Sequence, residues 1–162
     1  MRQIKAEKLT IEAFAPFGTF HSMLEPSGYG LNGKIHTFYP DRVTGTLVGT
    51  MAFSPIVVKK SDLVITQVEY HTSTWEGILP LDDDMVIHVS PASGDYPNVD
   101  ETKAFIVPKG TFIKLNAAIW HLAPCPASNE ALHAMIVLPE CTYARDCPVI
   151  DLKNEDIFQI IL

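Results

Sequence analysis

The apolar positions of this chain fall in short runs, and many runs alternate with polar residues at a period of two. That period marks strands with one buried face. Glycine and proline interrupt the runs throughout, with 12 prolines and nine glycines among 162 residues, which excludes long helices. The pattern predicts strands over residues 1–8, 17–22, 33–38, 45–53, 55–60, 63–71, 75–79, 84–90, 103–107, 111–115, 117–122 and 131–138. One helical turn is expected over Ile11-Glu12-Ala13-Phe14, capped by Thr10 and ended before Pro16. The longest loop is 91–101. The apolar run from Ile157 to Leu162 is expected to close a sheet edge or to pack at a subunit interface. Many short strands at close spacing predict an all-β sandwich or barrel, in one domain spanning 1–162.

One predicted strand carries more than a fold. In 63–71, Val64, Thr66, Val68 and Tyr70 share a face, and Leu63, Ile65, Gln67, Glu69 and His71 share the other. The second face turns from apolar to ionisable along its length, as a ligand cavity at a barrel mouth requires. Glu76 follows on the next predicted strand, so Glu69, His71 and Glu76 can converge. Between Gly110 and Pro124 the polar groups are Asn116 and His121, with Lys114 on the face of Asn116. His121 and His88 both sit inside apolar runs, where each imidazole needs a hydrogen-bond partner. Two acids and two imidazoles near apolar strands are costly without a role, which singles out Glu69, His71, Glu76 and His121. His21, His36 and His133 lack such company and are read as structural, Trp75 and Trp120 as packing, and Asp82-Asp83-Asp84 as a solvated turn.

Composition narrows the function. The net charge of -7 and pI near 5.2 argue against nucleic acid and anionic membranes as partners. A substrate anion would need a locally positive pocket. The opening residues lack the apolar core of a secretory signal, and no apolar stretch approaches the ~18 residues of a membrane span. Three cysteines, Cys125, Cys141 and Cys147, with no Cys-x-x-Cys pair, fit a reducing cytoplasm and neither a disulfide framework nor a thiolate zinc site. Cys147 reads as a packed thiol in a turn.

Glu69-Tyr70-His71, Glu76 and the later His121 resemble the cupin metal motif, a His-x-His pair followed by Glu and completed by a later, third histidine, with Glu69 at the first position. The chain is more closely similar to the ureidoglycolate lyase family. The stretch Leu9-Thr10-Ile11-Glu12-Ala13-Phe14-Ala15-Pro16-Phe17-Gly18 looks like that family's opening. Asn32-Gly33, His36-Thr37-Phe38, Glu69-Tyr70-His71, Pro80, the loop from Val89 to Asp100, Lys103-Ala104-Phe105-Ile106, Trp120-His121 and Asp146-Cys147 follow in the family's order. Leu115-Asn116-Ala117 departs from the family's Tyr-His-Arg. The resemblance implies a cupin-type double-stranded β-helix barrel, a homodimer, and conversion of ureidoglycolate to glyoxylate and urea.

That elimination needs a base for the substrate hydroxyl, an acid for the departing urea nitrogen, and a cation for the carboxylate. The shared strand face and the resemblance together assign His71 and Glu76 to proton transfer, Glu69 to orienting His71, and His121 to a second acid or a hydrogen-bond donor to the developing carbonyl oxygen. Lys103 or Lys114 would hold the carboxylate, with Asn116, Gln67 and His88 as further substrate contacts. No cofactor is required for this chemistry. One alternative is a metal-dependent cupin enzyme with Mn, Fe, Ni or Zn on His71, Glu76 and His121. Another is a non-catalytic small-acid binding module, which the Asn116-Ala117 departure favours.

Overall fold

The computed structural model describes residues 1–162. The chain runs through β1 (Arg2–Lys8), α1 (Ile11–Phe14), β2 (Gly18–Ser22), β3 (Leu31–Asn32), β4 (Thr37–Phe38), β5 (Met51–Lys59), β6 (Val64–Ile65), β7 (Gln67–Glu69), β8 (Glu76–Pro80) and β9 (Met85–Val89). A 3-10 turn (Val99–Glu101) leads into β10 (Lys103–Val107), β11 (Thr111–Leu115), β12 (Cys125–Pro126), β13 (Ala131–Pro139), α2 (Thr142–Arg145), β14 (Val149–Asp151) and β15 (Phe158–Ile161). Six strands pair in the order β12-β9-β10-β1-β15-β6, and five in the order β2-β11-β8-β13-β5. Two small pairs, β14-β7 and β3-β4, stand apart. The result is an all-β fold built on two large sheets.

Both large sheets contribute to the main core. Ile78 of β8, Ile113 and Leu115 of β11, and Leu132 and Ala134 of β13 meet Met85, Ile87 and Val89 of β9 and Phe105 and Val107 of β10. Phe14 of α1 plugs this core, edge-on to Phe105 with ring centroids 5.4 Å apart. The Thr10 hydroxyl accepts from the Ala13 N–H, as the capping argument expected. A second apolar cluster lies on the other face of the six-stranded sheet, where Val86, Ala104, Phe158 and Ile160 pack with Val68, Trp120 and Leu152. β9 is therefore buried on both faces, which explains an apolar run interrupted only by His88. The C-terminal run is β15, parallel to β1 and antiparallel to β6, so it is consumed within the chain.

Several predicted strands are redrawn. Residues 45–50 form no strand, and β5 runs unbroken through Ser54, where the pattern places a break between two strands, and on through Pro55. β5 is an edge strand, so a missing N–H is tolerated on its open side. Of 33–38 only Thr37 and Phe38 are strand, as β4, and 33–36 turn the chain back from β3. The 63–71 strand breaks at Thr66, whose carbonyl accepts the Leu152 N–H. That break puts Ile65 and Val68 in one buried cluster, against strict alternation. The 117–122 segment makes only isolated bridges, at Trp120 and His121, after Ala118 turns the chain at φ +65°. α2, β12 and β14 carry no periodic signal and were not expected. The Asp82-Asp83-Asp84 turn is not simply solvated. Asp83 is buried and accepts from Ser128 and Asn129, and Asp82 pairs with His133.

Candidate active site

Three segments bring the ionisable residues together. Glu76 opens β8 in register with Leu115, on the inward face it shares with Ile78. Glu69 ends β7 and is bridged to His121, whose main-chain N–H and C=O pair with those of Glu69 at 2.9 and 2.7 Å. His71 lies just beyond, its carbonyl accepting the Ala118 N–H at 2.6 Å. His71, Glu76 and His121 are buried and Glu69 is partly buried.

One carboxylate oxygen joins the imidazoles. Oε2 of Glu76 accepts from Nε2 of His121 at 2.7 Å and from Nε2 of His71 at 3.1 Å. The far nitrogens also face acceptors. Nδ1 of His71 donates to the Asp146 carbonyl at 2.7 Å, and Nδ1 of His121 to the Ile119 carbonyl at 2.8 Å. With acceptors on both sides, each ring is satisfied only as an imidazolium. Burial pulls both imidazoles down, yet Glu76 outweighs it and holds both above their ordinary value. Burial pushes Glu76 up, and His121 and His71 outweigh it, leaving its carboxyl at about 2.

Glu69 stands against His121 and Cys147 rather than His71. Its Oε1 is 3.9 Å from Nε2 of His121, and its Oε2 accepts from Sγ of Cys147 at 3.1 Å. Burial and the bond to Glu69 push the Cys147 thiol up to about 12, so it is protonated. Glu69, His71, Glu76 and Cys147 line a pocket of about 170 Å³ whose remaining walls are Ile56, Ala123, Ile136, Leu138 and Tyr143. That volume lies below the ~300–1,000 Å³ of drug-sized sites and suits a small acid.

The expected substrate contacts are placed elsewhere. Lys103 is exposed on β10, and Lys114 donates to the Thr44 carbonyl at 2.6 Å. Gln67 donates to Asp151, and Asn116 is exposed. His88 shares a β9 face with Val86 and meets Phe158 edge-on, with no hydrogen-bond partner on either ring nitrogen. No lysine or arginine lines the pocket. Tyr143 and Asp146 went unrecognised as parts of the site, because the only link between α2 and the bend at 72–75 is contact across the fold.

Metal ligation fits the donor set. Glu69, His71 and His121 offer ligand atoms that all lie within 4.8 Å of one another. Both histidines have Nδ1 fixed on a carbonyl, so a metal on their Nε2 atoms would replace the protons they share with Glu76.

The description of the ureidoglycolate lyase family matches residues 1–157. A ureidoglycolate lyase of Mesorhizobium japonicum (strain LMG 29417 / CECT 9101 / MAFF 303099) is 31% identical over 126 residues, covering 75% of this chain and 77% of its own. Another, from Chelativorans sp. (strain BNC1), is 28% identical over 137 residues, covering 80% and 81%. Among solved structures, a variant of Bacillus subtilis oxalate decarboxylase superposes with a TM-score of 0.45 at 16% identity, covering 64% of this chain. This chain spans 24% of that protein's length.

Proposed function

Because the chain belongs to the ureidoglycolate lyase family, we propose that it releases urea and glyoxylate from ureidoglycolate at the pocket lined by Glu69, His71 and Glu76, with His121 hydrogen-bonded to Glu76. The observation that carries this is the convergence of two imidazoles on one buried carboxylate at the floor of a small pocket. Elimination breaks the C–N bond to the ureido group, and its electron pair goes to nitrogen. The hydroxyl O–H bond is lost as C=O forms. A carboxylate accepts the hydroxyl proton, and an imidazolium gives one to the departing nitrogen, so the set returns to its starting charge. Glu76 and Glu69 supply the carboxylates, and His71 and His121 the imidazoliums. With no lysine or arginine in the pocket, the substrate carboxylate rests against the imidazolium charge.

Metal-assisted chemistry is the second reading, favoured by the Glu69, His71 and His121 cluster. A Mn, Fe, Ni or Zn ion on these residues would polarise substrate oxygens as a Lewis acid. One experiment separates the two. Glyoxylate and urea release is assayed on purified protein whose metal content has been measured. Turnover that persists after chelation favours the acid-base reading. Turnover that tracks bound metal favours the second. Absence of turnover in both forms rules out the lyase.

We further propose a cytoplasmic homodimer. Three unpaired cysteines suit a reducing compartment, and no helix is long and apolar enough to cross a membrane. Ile35, Phe38, Val48, Phe53 and Val57 are all exposed, on and before the open-edge strand β5, and burying them would stabilise a pair of chains.

A further inference from the structure

The chain between β13 and β14 belongs to no sheet, yet it holds the site from behind. His71 lies outside β7, in an irregular stretch that reaches Glu76 by way of a bend at Thr72 and Ser73. Main-chain pairing of His71 itself is limited to its carbonyl and the Ala118 N–H. Its ring is aimed by Nδ1, which donates to the main-chain carbonyl of Asp146. The carboxylate of the same residue grips the bend. Oδ1 accepts the N–H and hydroxyl of Thr72 at 2.8 and 2.6 Å, and Oδ2 accepts the N–H of Ser73 at 2.8 Å together with its hydroxyl.

We propose that Asp146 is a positioning residue for His71: its carboxylate locks the Thr72–Ser73 bend, and its carbonyl, fixed by that lock, points the His71 ring at Glu76. The proposal rests on the site assignment above, but not on whether His71 passes protons or holds a metal. Four donors saturate the carboxylate. Burial pushes it up, and the Ser73 and Thr72 donors outweigh burial and hold it at about 2. Asp146 does not line the site pocket, so it acts through His71 rather than on substrate. A ring freed from this carbonyl could turn about its side-chain torsions, and the 3.1 Å contact to Glu76 would be lost.

The test compares Asp146→Ala and Asp146→Asn with the wild type. Melting temperature, kcat, KM and the low-field ring N–H proton resonance of His71 are measured, the resonance being assigned by its loss in His71→Gln. Asp146→Ala is expected to lower kcat roughly tenfold or more with KM within about threefold, and to shift or broaden the His71 resonance. Asp146→Asn keeps one carbonyl-type oxygen for the bend and should fall between. A folded Asp146→Ala with wild-type kcat and an unmoved resonance overturns the proposal. So does a lower melting temperature with nothing else changed, which would make the clamp merely structural. Should Asp146→Ala fail to fold, Asp146→Asn decides by the same criteria. If the wild type does not turn over ureidoglycolate, the lyase assignment fails, and the ring resonance alone judges Asp146.

Discussion

His121 and Glu76 meet at 2.7 Å with both groups buried, and the same Glu76 oxygen also receives His71. A single carboxylate oxygen thus sets the charge state of two imidazoles. Replacing it with an amide of the same shape removes the reason for either ring to stay protonated. Glu76→Gln should lower kcat by about 10²–10⁴-fold while circular dichroism shows the fold retained. Wild-type turnover in the folded variant would remove Glu76 from the chemistry.

The pH dependence of stability has opposite signs at different groups. Glu76 is depressed from 4.5 to about 2, so its contribution is present above pH 4.5 and lost as pH falls through about 2. His71 and His121 are raised from 6.5, so theirs is present below that pH and lost as pH rises through their folded values. His88 runs the other way. Burial lowers it from 6.5 to about 3, so between those values only the unfolded chain takes its proton, and stability falls with acidification. His88→Leu should flatten that decline. It should also raise stability by about 1 kcal/mol at neutral pH, because two buried nitrogens without partners disappear. Chemical denaturation across pH checks both. A destabilised variant would show that His88 has a partner in solution.

The surface at β5 predicts an assembly effect. Phe53 and Val57 are 63% and 59% exposed along the open edge of the five-stranded sheet. If chains pair through this face as proposed, sedimentation equilibrium should find a dimer for the wild type and a folded monomer for Phe53→Asp. A wild-type monomer, or a variant that stays dimeric, would place the interface elsewhere.

The strands were legible where one face is buried, or where a run is apolar on both faces. β9, β10, β11 and β13 follow the sequence pattern closely, because each is central in its sheet and strongly patterned. The pattern splits β5 at Ser54, just before Pro55, because the edge position that tolerates the proline is a property of the sheet and not of the strand. In the site, Glu69, His71, Glu76 and His121 could be found as ionisable residues amid apolar ones. Asp146 could not. Its partners lie 73 and 74 residues away, and an aspartate in a short helix-loop segment looks like any surface acid. The lysines expected at the carboxylate were chosen by charge, but Lys114 sits under the Thr44 carbonyl and Lys103 faces solvent.

Pro55 lies midway along β5, nine residues long and unpaired on its outer side. A proline there leaves a gap in the row of donors that an incoming strand would need. The edge can thus meet another chain through its side chains while resisting the unlimited strand-by-strand addition that builds fibrils. Filling the gap with valine would give this protein a continuous template for self-templated growth, and the fold itself would be unchanged.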